Sequence, residues 1–467
     1  MAPGNGRINA NEMAIESVNP LNGKRIKKYP VLKPGQVSRK VKAAQDAFLN
    51  WKETGFPERS ALFKKAASVL EKKKDALARL MALEMGKPLA QGASEIDKCA
   101  WVCKYYSEEA RGFLLPEKIA TDASKSYVAF EPLGVVLAIM PWNFPFWQVF
   151  RFAAPSLMAG NTGLLKHASN VPGCALAIED IFKEAGFPPG VFQSLLIDSG
   201  QAAAVMEDER VKAVTLTGST QAGKSVASKA GSLLKKTVLE LGGSDPYLIL
   251  EDADLEKAAE ICVNGRLVNS GQSCIAAKRF IVVKAVEKRF LELFRNRMMD
   301  KKMGDPLQED TDIGPQARED LRDQLHEQVL ESIVKGARCL LGGKKPEGKG
   351  AFYPATILTN VKKGMPAYDE ELFGPVAAVI TAKDEDDAIK KANDSSFGLG
   401  AAVFTKDKKR GEQLAAHRLE AGSCFVNGIV HSDPRLPFGG IKESGYGREL
   451  GGFGIREFVN IKTVYVT

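Results

Sequence analysis

Short, largely apolar runs that alternate with helical segments constrain the fold of this chain more than any other sequence feature. Each run is four to six residues long, which suits a strand buried on both faces and is too short for most helices. In the first half of the chain the runs lie at residues 135–140, 163–166, 192–197, 211–216 and 237–241. Helical patterns separate them, as at residues 171–185 and 220–230. This alternation predicts a parallel, doubly wound sheet of the dinucleotide-binding type.

A second alternating series follows and predicts a second α/β domain, which carries Cys274. Its strands lie near residues 247–250, 279–283, 376–380 and 401–404. Roughly the first hundred residues instead have apolar positions at helical spacing, so we expect them to be mostly helical cover. Residues 114–129 and 462–466 are expected to be extended and partly exposed.

The composition is typical of a soluble globular protein with two or three domains. The chain has 467 residues, of which 44% are hydrophobic and 26% are charged. Its net charge of +8 comes from 65 basic and 57 acidic residues spread along the whole length. Because no basic stripe interleaves with aromatic residues, we expect no nucleic-acid partner, although a modest positive field would help to attract an anionic substrate.

The sequence favours a cytoplasmic location without a membrane partner. No apolar stretch approaches the roughly 20 residues needed to span a bilayer, and residues 1–12 lack the apolar core of a signal peptide. Seven cysteines at irregular spacing favour a reducing compartment. Cys99 and Cys103 continue an apolar helix stripe and the four histidines are scattered, so no metal site is expected.

Three motifs carry side chains suited to chemistry at a carbonyl group. Cys274 ends a Ser-Gly-Gln-Ser-Cys run, Glu240 ends a predicted strand before two glycines, and Asn143 lies in a proline-bracketed turn. A thiolate attacks a carbonyl carbon and a buried carboxylate accepts a proton, while an amide donor to the oxyanion is worth about 3 kcal/mol. Each residue also has a purely structural interpretation: Cys274 as a buried thiol, Glu240 as a carboxylate in an ion pair, and Asn143 as a turn residue.

With these motifs in this order, the chain resembles the aldehyde dehydrogenase superfamily. The resemblance runs from about Ser17 to the C-terminus and includes residues 216–220, 371–375 and 437–442. Within the superfamily, residues 146–151 and 166–169 are similar to those of bacterial succinate-semialdehyde dehydrogenases.

The resemblance implies a three-part α/β architecture. A Rossmann-type cofactor domain would comprise residues 1–113 and 134–240, and a catalytic domain would comprise residues 241–440. Residues 114–133 and 441–467 would form a small β oligomerisation arm, whose strands extend a neighbour's sheet. A homodimer or a homotetramer is therefore expected.

The resemblance also implies a mechanism. Cys274 would attack an aldehyde, and Asn143 together with the Cys274 N–H would hold the oxyanion of the thiohemiacetal. Hydride would then pass to a nicotinamide, leaving a thioacyl-enzyme. Glu240 would activate the thiol, or the water that releases the acid. A base at this position argues against CoA-acylating relatives, in which thiolysis removes the need for it.

Residues 218–223 follow a predicted strand and open a predicted helix, where a phosphate can bind. The stretch lacks the usual G-x-G-x-x-G pattern, so its glycines alone are a weak signal. By resemblance, Ser219 would bond the pyrophosphate, Gly218 would permit its close approach, and Lys166 would reach the adenosine ribose.

The resemblance places three further side chains at the nicotinamide end of the cofactor, where Glu371 would hold the ribose and Phe373 and Trp142 would lie beside the ring. Ser169 stands where NAD-preferring relatives commonly carry a glutamate. A glutamate would repel a 2′-phosphate, whereas a serine can donate a hydrogen bond to it. NADP is therefore expected to be preferred, or at least accepted beside NAD.

Arg151 lies eight residues after Asn143, a spacing of about two helical turns, so both side chains can face one tunnel. By resemblance, Arg151 at the tunnel mouth would bind the carboxylate of succinate semialdehyde, and Ser432 would line the same tunnel. The alternative is a surface arginine paired with an acid elsewhere. The expected activity is NAD(P)-dependent oxidation of succinate semialdehyde. Its rivals are a broad-specificity aliphatic aldehyde dehydrogenase and a non-catalytic binding or structural protein of the same fold.

Overall fold

The computed structural model describes residues 14–467, so the polar stretch at residues 1–12 lies outside the described residues. The described strands are β1 (Ala14–Val18), β2 (Arg25–Pro30), β3 (Glu117–Lys118), β4 (Lys125–Pro132), β5 (Val135–Met140), β6 (Thr162–His167), β7 (Phe192–Ser194), β8 (Val211–Thr217), β9 (Lys236–Glu240), β10 (Pro246–Ile249), β11 (Arg279–Val283), β12 (Arg338–Leu341), β13 (Thr356–Thr359), β14 (Val376–Ala382), β15 (Phe397–Gly398), β16 (Gly400–Phe404), β17 (Ser423–Val426), β18 (Ile441–Lys442), β19 (Gly445–Tyr446) and β20 (Val459–Val466).

The described α-helices are α1 (Pro34–Trp51), α2 (Phe56–Met85), α3 (Leu89–Phe113), α4 (Trp147–Met158), α5 (Pro172–Glu184), α6 (Ser199–Glu207), α7 (Thr220–Ser232), α8 (Leu255–Leu267), α9 (Lys284–Met299), α10 (Glu319–Val334), α11 (Pro366–Asp369), α12 (Glu385–Asn393), α13 (Lys408–His417) and α14 (Gly451–Ile455). A short 3-10 turn, Val268–Gly271, follows α8. Within residues 14–467, no helix has both the length and the apolar character needed to cross a bilayer.

The first α/β unit is built on a six-stranded sheet in the order β19-β9-β8-β5-β6-β7. Its strands from β9 to β7 are parallel, whereas the short β19 runs antiparallel to β9. Helices α4 to α7 each connect two of the parallel strands. After β5 the chain forms β6 and β7 on one side of that strand, and then crosses over to form β8 and β9 on its other side. The carboxyl ends of β5 and β8 therefore flank the point where such sheets bind ligands.

The second α/β unit is built on a seven-stranded sheet in the order β12-β13-β14-β11-β10-β16-β17. All of its neighbouring pairs are parallel except β12 with β13. Every residue of the central strands β10 and β11 is buried, as expected of strands covered on both faces. Cys274 lies in the connection from α8 to β11.

A three-stranded antiparallel sheet, β20-β4-β3, unites two distant parts of the chain. The ladder between β20 and β4 pairs Val459 with Pro132 at one end and Val466 with Lys125 at the other. The C-terminal segment is shared between sheets, because β19 joins the six-stranded sheet and β20 joins this one.

The structure differs from the sequence prediction in β7 and in the hairpin β1–β2, and it adds β12, β13 and β17, which were not predicted. The strand predicted at 192–197 ends at Ser194, because Ile197 N–H bonds the Leu195 carbonyl in a tight turn and Asp198 then caps α6. The hairpin β1–β2 lies in the part predicted to be mostly helical. Most of its side chains are exposed, so the sequence shows no alternation of buried and exposed positions there.

Candidate active site

Two cavities meet at Cys274. The first cavity, of about 420 Å³, lies beyond the carboxyl ends of β5, β8 and β9. The second cavity, of about 260 Å³, lies among α3, α4 and the 429–438 segment. Cys274 and Gln148 line both cavities. A molecule in either cavity can therefore reach the same sulfur.

The segment that precedes Cys274 has an unusual backbone. Asn269, Ser270 and Gly271 have φ values of 53°, 55° and 77°, three left-handed residues in succession. Such conformations cost roughly 1–3 kcal/mol for each non-glycine residue and persist only where the surroundings hold them. Ser270 Oγ accepts a 2.9 Å hydrogen bond from Gly314 N, and the Asn269 side-chain amide donates to the Asn143 carbonyl at 2.7 Å. The last contact ties this segment to the predicted oxyanion donor.

Gly271 lies at a point of close packing between two segments of the chain. In the structure a Cβ on Gly271 would overlap the Gly374 carbonyl group and lie 2.6 Å from Pro375 N. Gly271 therefore allows the nucleophile segment to pack against the 371–375 motif.

The surroundings of Cys274 favour its neutral thiol form. Burial raises the pKa of Cys274 to about 12, although the positive charges of Lys278 and Arg151 act in the opposite direction. Lys278 Nζ donates to the Cys274 carbonyl at 2.6 Å and lies 3.3 Å from Glu371 Oε1. Lys278 thus places a buried positive charge close to the predicted nucleophile and joins it to the 371–375 motif.

Asn143 is buried in the loop after β5 and lines the first cavity. Its Nδ2 atom donates to the Gln272 carbonyl at 3.1 Å, which uses one of its two amide hydrogens. Among the residues that the structure describes, the second amide hydrogen has no acceptor, so it is available to a bound molecule. The structure therefore leaves Asn143 with the donor that the sequence predicted for an oxyanion.

A buried ion pair that no sequence motif marks holds the Asn143 loop in place. The Glu95 carboxylate accepts from the backbone N–H groups of Phe146 and Trp147, both at 2.9 Å. It also pairs with Lys87, whose Nζ lies 3.9 Å from the centre of the Phe144 ring. Glu95 lies in α3 and Lys87 in the connection between α2 and α3, and both are far from this loop in sequence, so no local motif marks them.

Glu240 ends β9 with its carboxylate buried, and neither of its oxygens has a hydrogen-bond partner within residues 14–467. Burial raises the pKa of Glu240 well above its usual value; Arg151 opposes this shift, and Glu449 adds to it. Its Oε1 atom lies close to Gly439, at 2.7 Å from where a Cβ would stand. A buried carboxyl of raised pKa with unused oxygens can serve as a general base near neutral pH.

Arg151 lines the second cavity but lies deep in its wall, at 2% exposure, rather than at a mouth. It forms an ion pair with the buried Glu449, and its Nη2 atom donates to Thr217 Oγ1 at 3.3 Å. The guanidinium carbon also lies 4.8 Å from the centre of the Phe438 ring. The sequence predicted that Arg151 and Asn143 face one tunnel, whereas Asn143 lines the first cavity and Arg151 lines the second. The buried Glu449 also already offsets the charge of Arg151.

Ser432 lines the second cavity, as the sequence suggested. Its Oγ atom accepts from Lys98 Nζ at 2.9 Å and from Trp147 Nε1 at 3.1 Å. Lys98 also lies 4.3 Å from the centre of the Trp147 ring. Sequence reasoning missed Lys98, which stands beside Cys99 in α3 with no motif around it.

The first cavity contains most of the residues predicted to bind a cofactor. The Trp142 and Phe373 rings meet edge to face at 5.7 Å in its wall. Glu371 accepts from Gly243 N at 3.0 Å. Ser219 caps the N-terminus of α7, where its Oγ accepts from Ala222 N at 3.3 Å. A phosphate at this end would meet backbone N–H groups and the positive end of a helix dipole.

Gly218 also lines the first cavity. A Cβ added to it would come no closer than 3.6 Å to any protein atom, the nearest being Leu216 Cδ2. The protein itself therefore has room for a side chain at this position. A need for glycine here would come from a bound molecule, as the sequence suggested.

Lys166 and Ser169 line neither of these cavities. Lys166 lies in β6, and burial lowers its pKa. Ser169 is exposed beyond the end of that strand and borders a third cavity of about 640 Å³, between the β1–β2 hairpin and Arg318. Within the described residues, no group of three or more His, Cys, Asp and Glu side chains is arranged to hold a metal ion.

Glu240 lines neither cavity, but its charge acts on the Cys274 thiol. A nucleotide-type sheet that ends at one cavity, and a thiol that this cavity shares with a second one, define a class of enzyme. Its members are oxidoreductases that act on carbonyl compounds through a cysteine. The chain belongs to the aldehyde dehydrogenase family, whose model matches residues 8–464. The predicted fold class and the family resemblance are both confirmed.

Known relatives are similar over nearly the whole chain. A Synechocystis sp. protein named "Probable succinate-semialdehyde dehydrogenase", with NADP(+) in its name, is 50% identical, and the match covers 97% of this chain and 100% of the relative. An Escherichia coli succinate semialdehyde dehydrogenase, named for NAD(P)+, is 46% identical, with 96% and 97% covered. The solved structure of a Streptococcus pyogenes succinic semialdehyde dehydrogenase in complex with NADP+ has a TM-score of 0.95 at 36% identity, covering 97% of this chain and 100% of that one.

Proposed function

We propose that this chain oxidises succinate semialdehyde, or another short aldehyde with a carboxylate at its far end, to the corresponding acid. The second cavity carries the proposal. It reaches Cys274 and has two cationic side chains, Lys98 and Arg151, in its wall together with the Ser432 hydroxyl. With its aldehyde group at the sulfur, such a substrate could bind its carboxylate to the cationic side chains of the wall. The names of the relatives support the same substrate.

The proposed nucleophile is Cys274, and Asn143 and Glu240 are its proposed partners. The sulfur adds to the aldehyde carbon, and the oxyanion accepts from the free Asn143 amide hydrogen and from the Cys274 N–H. The Glu240 carboxylate, which has no hydrogen-bond partner within residues 14–467, accepts the thiol proton and releases it to solvent. It then accepts a proton from the water that opens the thioester and passes that proton to the departing Cys274 thiolate. This sequence leaves the acid as product and returns Cys274 to its thiol form.

The proposed cofactor is NADP, with NAD as an accepted alternative, and the first cavity fits it. The helix end at Ser219 and the open position at Gly218 suit a pyrophosphate, and Glu371 suits a ribose hydroxyl. The aromatic pair Trp142 and Phe373 suits a flat ring. When bound, the nicotinamide supplies the hydride acceptor. The preference for NADP is supported by a serine rather than a carboxylate at Ser169, near Lys166, and by the relatives' names.

The proposal is tested by measuring kcat/KM for a panel of aldehydes with both cofactors, followed by the absorbance of the reduced cofactor. We expect succinate semialdehyde with NADP to give the highest value, and butanal, which lacks the carboxylate, to give a value lower by at least about 10-fold. Equal values for butanal and succinate semialdehyde would instead support a broad-specificity aliphatic aldehyde dehydrogenase. No turnover of any aldehyde would leave the non-catalytic alternative.

We further propose a cytoplasmic homodimer or homotetramer in which residues 114–133 and 441–467 form the oligomerisation arm. All seven cysteines are free, which supports a reducing compartment. Strand β20 is an edge strand with exposed apolar side chains at Ile461, Tyr465 and Val466. An exposed apolar edge favours pairing with a second chain. The remaining division, a cofactor domain of residues 1–113 and 134–240 and a catalytic domain of residues 241–440, is part of the same proposal.

A further inference from the structure

The Ser432 hydroxyl has an unused hydrogen. A hydroxyl group has one O–H donor and two acceptor lone pairs. Lys98 Nζ and Trp147 Nε1 both donate to Ser432 Oγ, at 2.9 and 3.1 Å, and so they occupy both lone pairs. Within residues 14–467 the Ser432 O–H has no acceptor. Since Ser432 lines the second cavity, its O–H is available to an acceptor on a molecule bound there.

The Lys98 ammonium has no carboxylate partner of its own. It forms no ion pair within residues 14–467, and its only protein hydrogen bond there is to Ser432. The two nearby acids are engaged elsewhere: Glu95 with Lys87 and two backbone N–H groups, and Asp433 with Arg435 at 2.7 Å. An ammonium group has three donors, so at least one of them is left for a ligand.

Arg151 offers a contrast in the same wall. Its charge is offset by the buried Glu449, and its guanidinium carbon lies over the Phe438 ring. A carboxylate that approached Arg151 would also meet the negative charge of Glu449. At Lys98 an approaching carboxylate meets a positive charge without such an opposing partner.

We propose that Lys98, together with the Ser432 O–H, is the principal binding site for the carboxylate of the substrate, and that Arg151 contributes mainly to the buried Glu449 pair. This inference rests on the proposed function, because it assumes an aldehyde with an ω-carboxylate. The carboxylate would accept one hydrogen bond from the ammonium and one from the hydroxyl. Trp147 positions both groups through its Nε1–H and its ring face.

The test replaces Lys98 by Met, which retains an unbranched side chain of similar length without the charge. A charge-assisted hydrogen bond of this kind corresponds to about 10- to 100-fold in affinity. We therefore expect K98M to lose about 10- to 100-fold in kcat/KM for succinate semialdehyde, mainly through a higher KM, and less than about 3-fold for butanal. The matched control is K104M, since Lys104 is on the same helix but is exposed and paired with Glu71.

Equal losses for both aldehydes, or no loss for either, would overturn the proposal while leaving the function standing. A second measurement needs no turnover: succinate should protect Cys274 from alkylation by iodoacetamide in the parent protein, and K98M should lose that protection. If the parent does not oxidise succinate semialdehyde at all, the proposed function fails. Even in that case, protection by succinate that is lost in K98M would support an anion-binding site at Lys98. If succinate does not protect the parent, or protects K98M equally well, that site is excluded.

Discussion

Cys274 lines both cavities, and its sulfur is a nucleophile that can attack a carbonyl group. We expect Cys274→Ser to lower aldehyde oxidation on the order of 1,000-fold or more, because a hydroxyl is a far weaker nucleophile than a thiolate. The measurement is kcat for the proposed substrate, combined with mass spectrometry of an acyl adduct trapped during turnover. Cys339→Ser is the control, since Cys339 is exposed and lies in β12, away from both cavities. An acyl adduct elsewhere on the chain, or full activity in C274S, would contradict the proposal.

If Lys98 binds the substrate carboxylate, the charge on Lys98 makes kcat/KM for succinate semialdehyde depend on pH. Burial lowers the pKa of Lys98 to about 8, and the positive charge of Arg151 acts in the same direction, against weaker opposing effects of Cys99, Asp433 and Glu95. The ammonium is therefore present below pH 8 and is lost as the pH rises above it.

We accordingly expect the ratio of kcat/KM for succinate semialdehyde to that for butanal to fall as the pH passes about 8. Ionisation of Cys274 and Glu240 affects both substrates, so it cancels in the ratio. The profile is measured from pH values on both sides of this range in parallel with K98M, whose ratio should be low and flat. A ratio in the parent that does not change with pH would contradict the role of Lys98.

At the scale of elements, the turn from α8 to β11 depends on close packing against the 371–375 motif. We expect Gly271→Ala to destabilise the protein by about 2–4 kcal/mol, because φ is 77° and a Cβ would overlap the Gly374 carbonyl group. Activity should fall as well, since the same turn holds Cys274. Denaturant unfolding gives the free energy of unfolding.

Gly112→Ala is the matched control for this change. Gly112 lies in α3, has no atom within 4 Å of an added Cβ and has no positive φ. Alanine there should stabilise the helix by up to about 1 kcal/mol. Similar effects for the two variants would show that the close contact at Gly271 does not exist.

The sequence was most informative where a strand end and a short motif coincide. Asn143, Gly218 and Glu240 each follow or end a strand of one parallel sheet, so their convergence at a single edge could be predicted. Cys274 comes from the other sheet, and its role was suggested by its motif rather than by its predicted position.

The residues that sequence reasoning missed act across long separations. Glu95 binds backbone N–H groups 51 and 52 residues away, and Lys98 meets Ser432 at a separation of 334 residues. Both lie on α3, and the apolar pattern of this helix predicts only which of its faces is buried. Likewise, Glu449, which forms the ion pair with Arg151, belongs to the C-terminal part of the chain. Such pairs depend on tertiary packing and leave no local signal.

At the scale of the whole molecule, the C-terminal strand is where assembly can be tested. We expect Ile461→Glu to lower the mass in solution to that of a smaller assembly or a monomer, because it places a charge on the exposed apolar side of β20. Lys462→Glu, at the next position on the opposite face, is the control. Light scattering gives the mass, and an unchanged mass in I461E would exclude this face from the interface.

The raised pKa of Cys274 also bears on its oxidation. Peroxides and other oxidants react with thiolates far faster than with neutral thiols. Burial raises the pKa of Cys274 to about 12, which favours the neutral thiol. We therefore expect this sulfur, before an aldehyde binds, to be oxidised more slowly than a free cysteine in water.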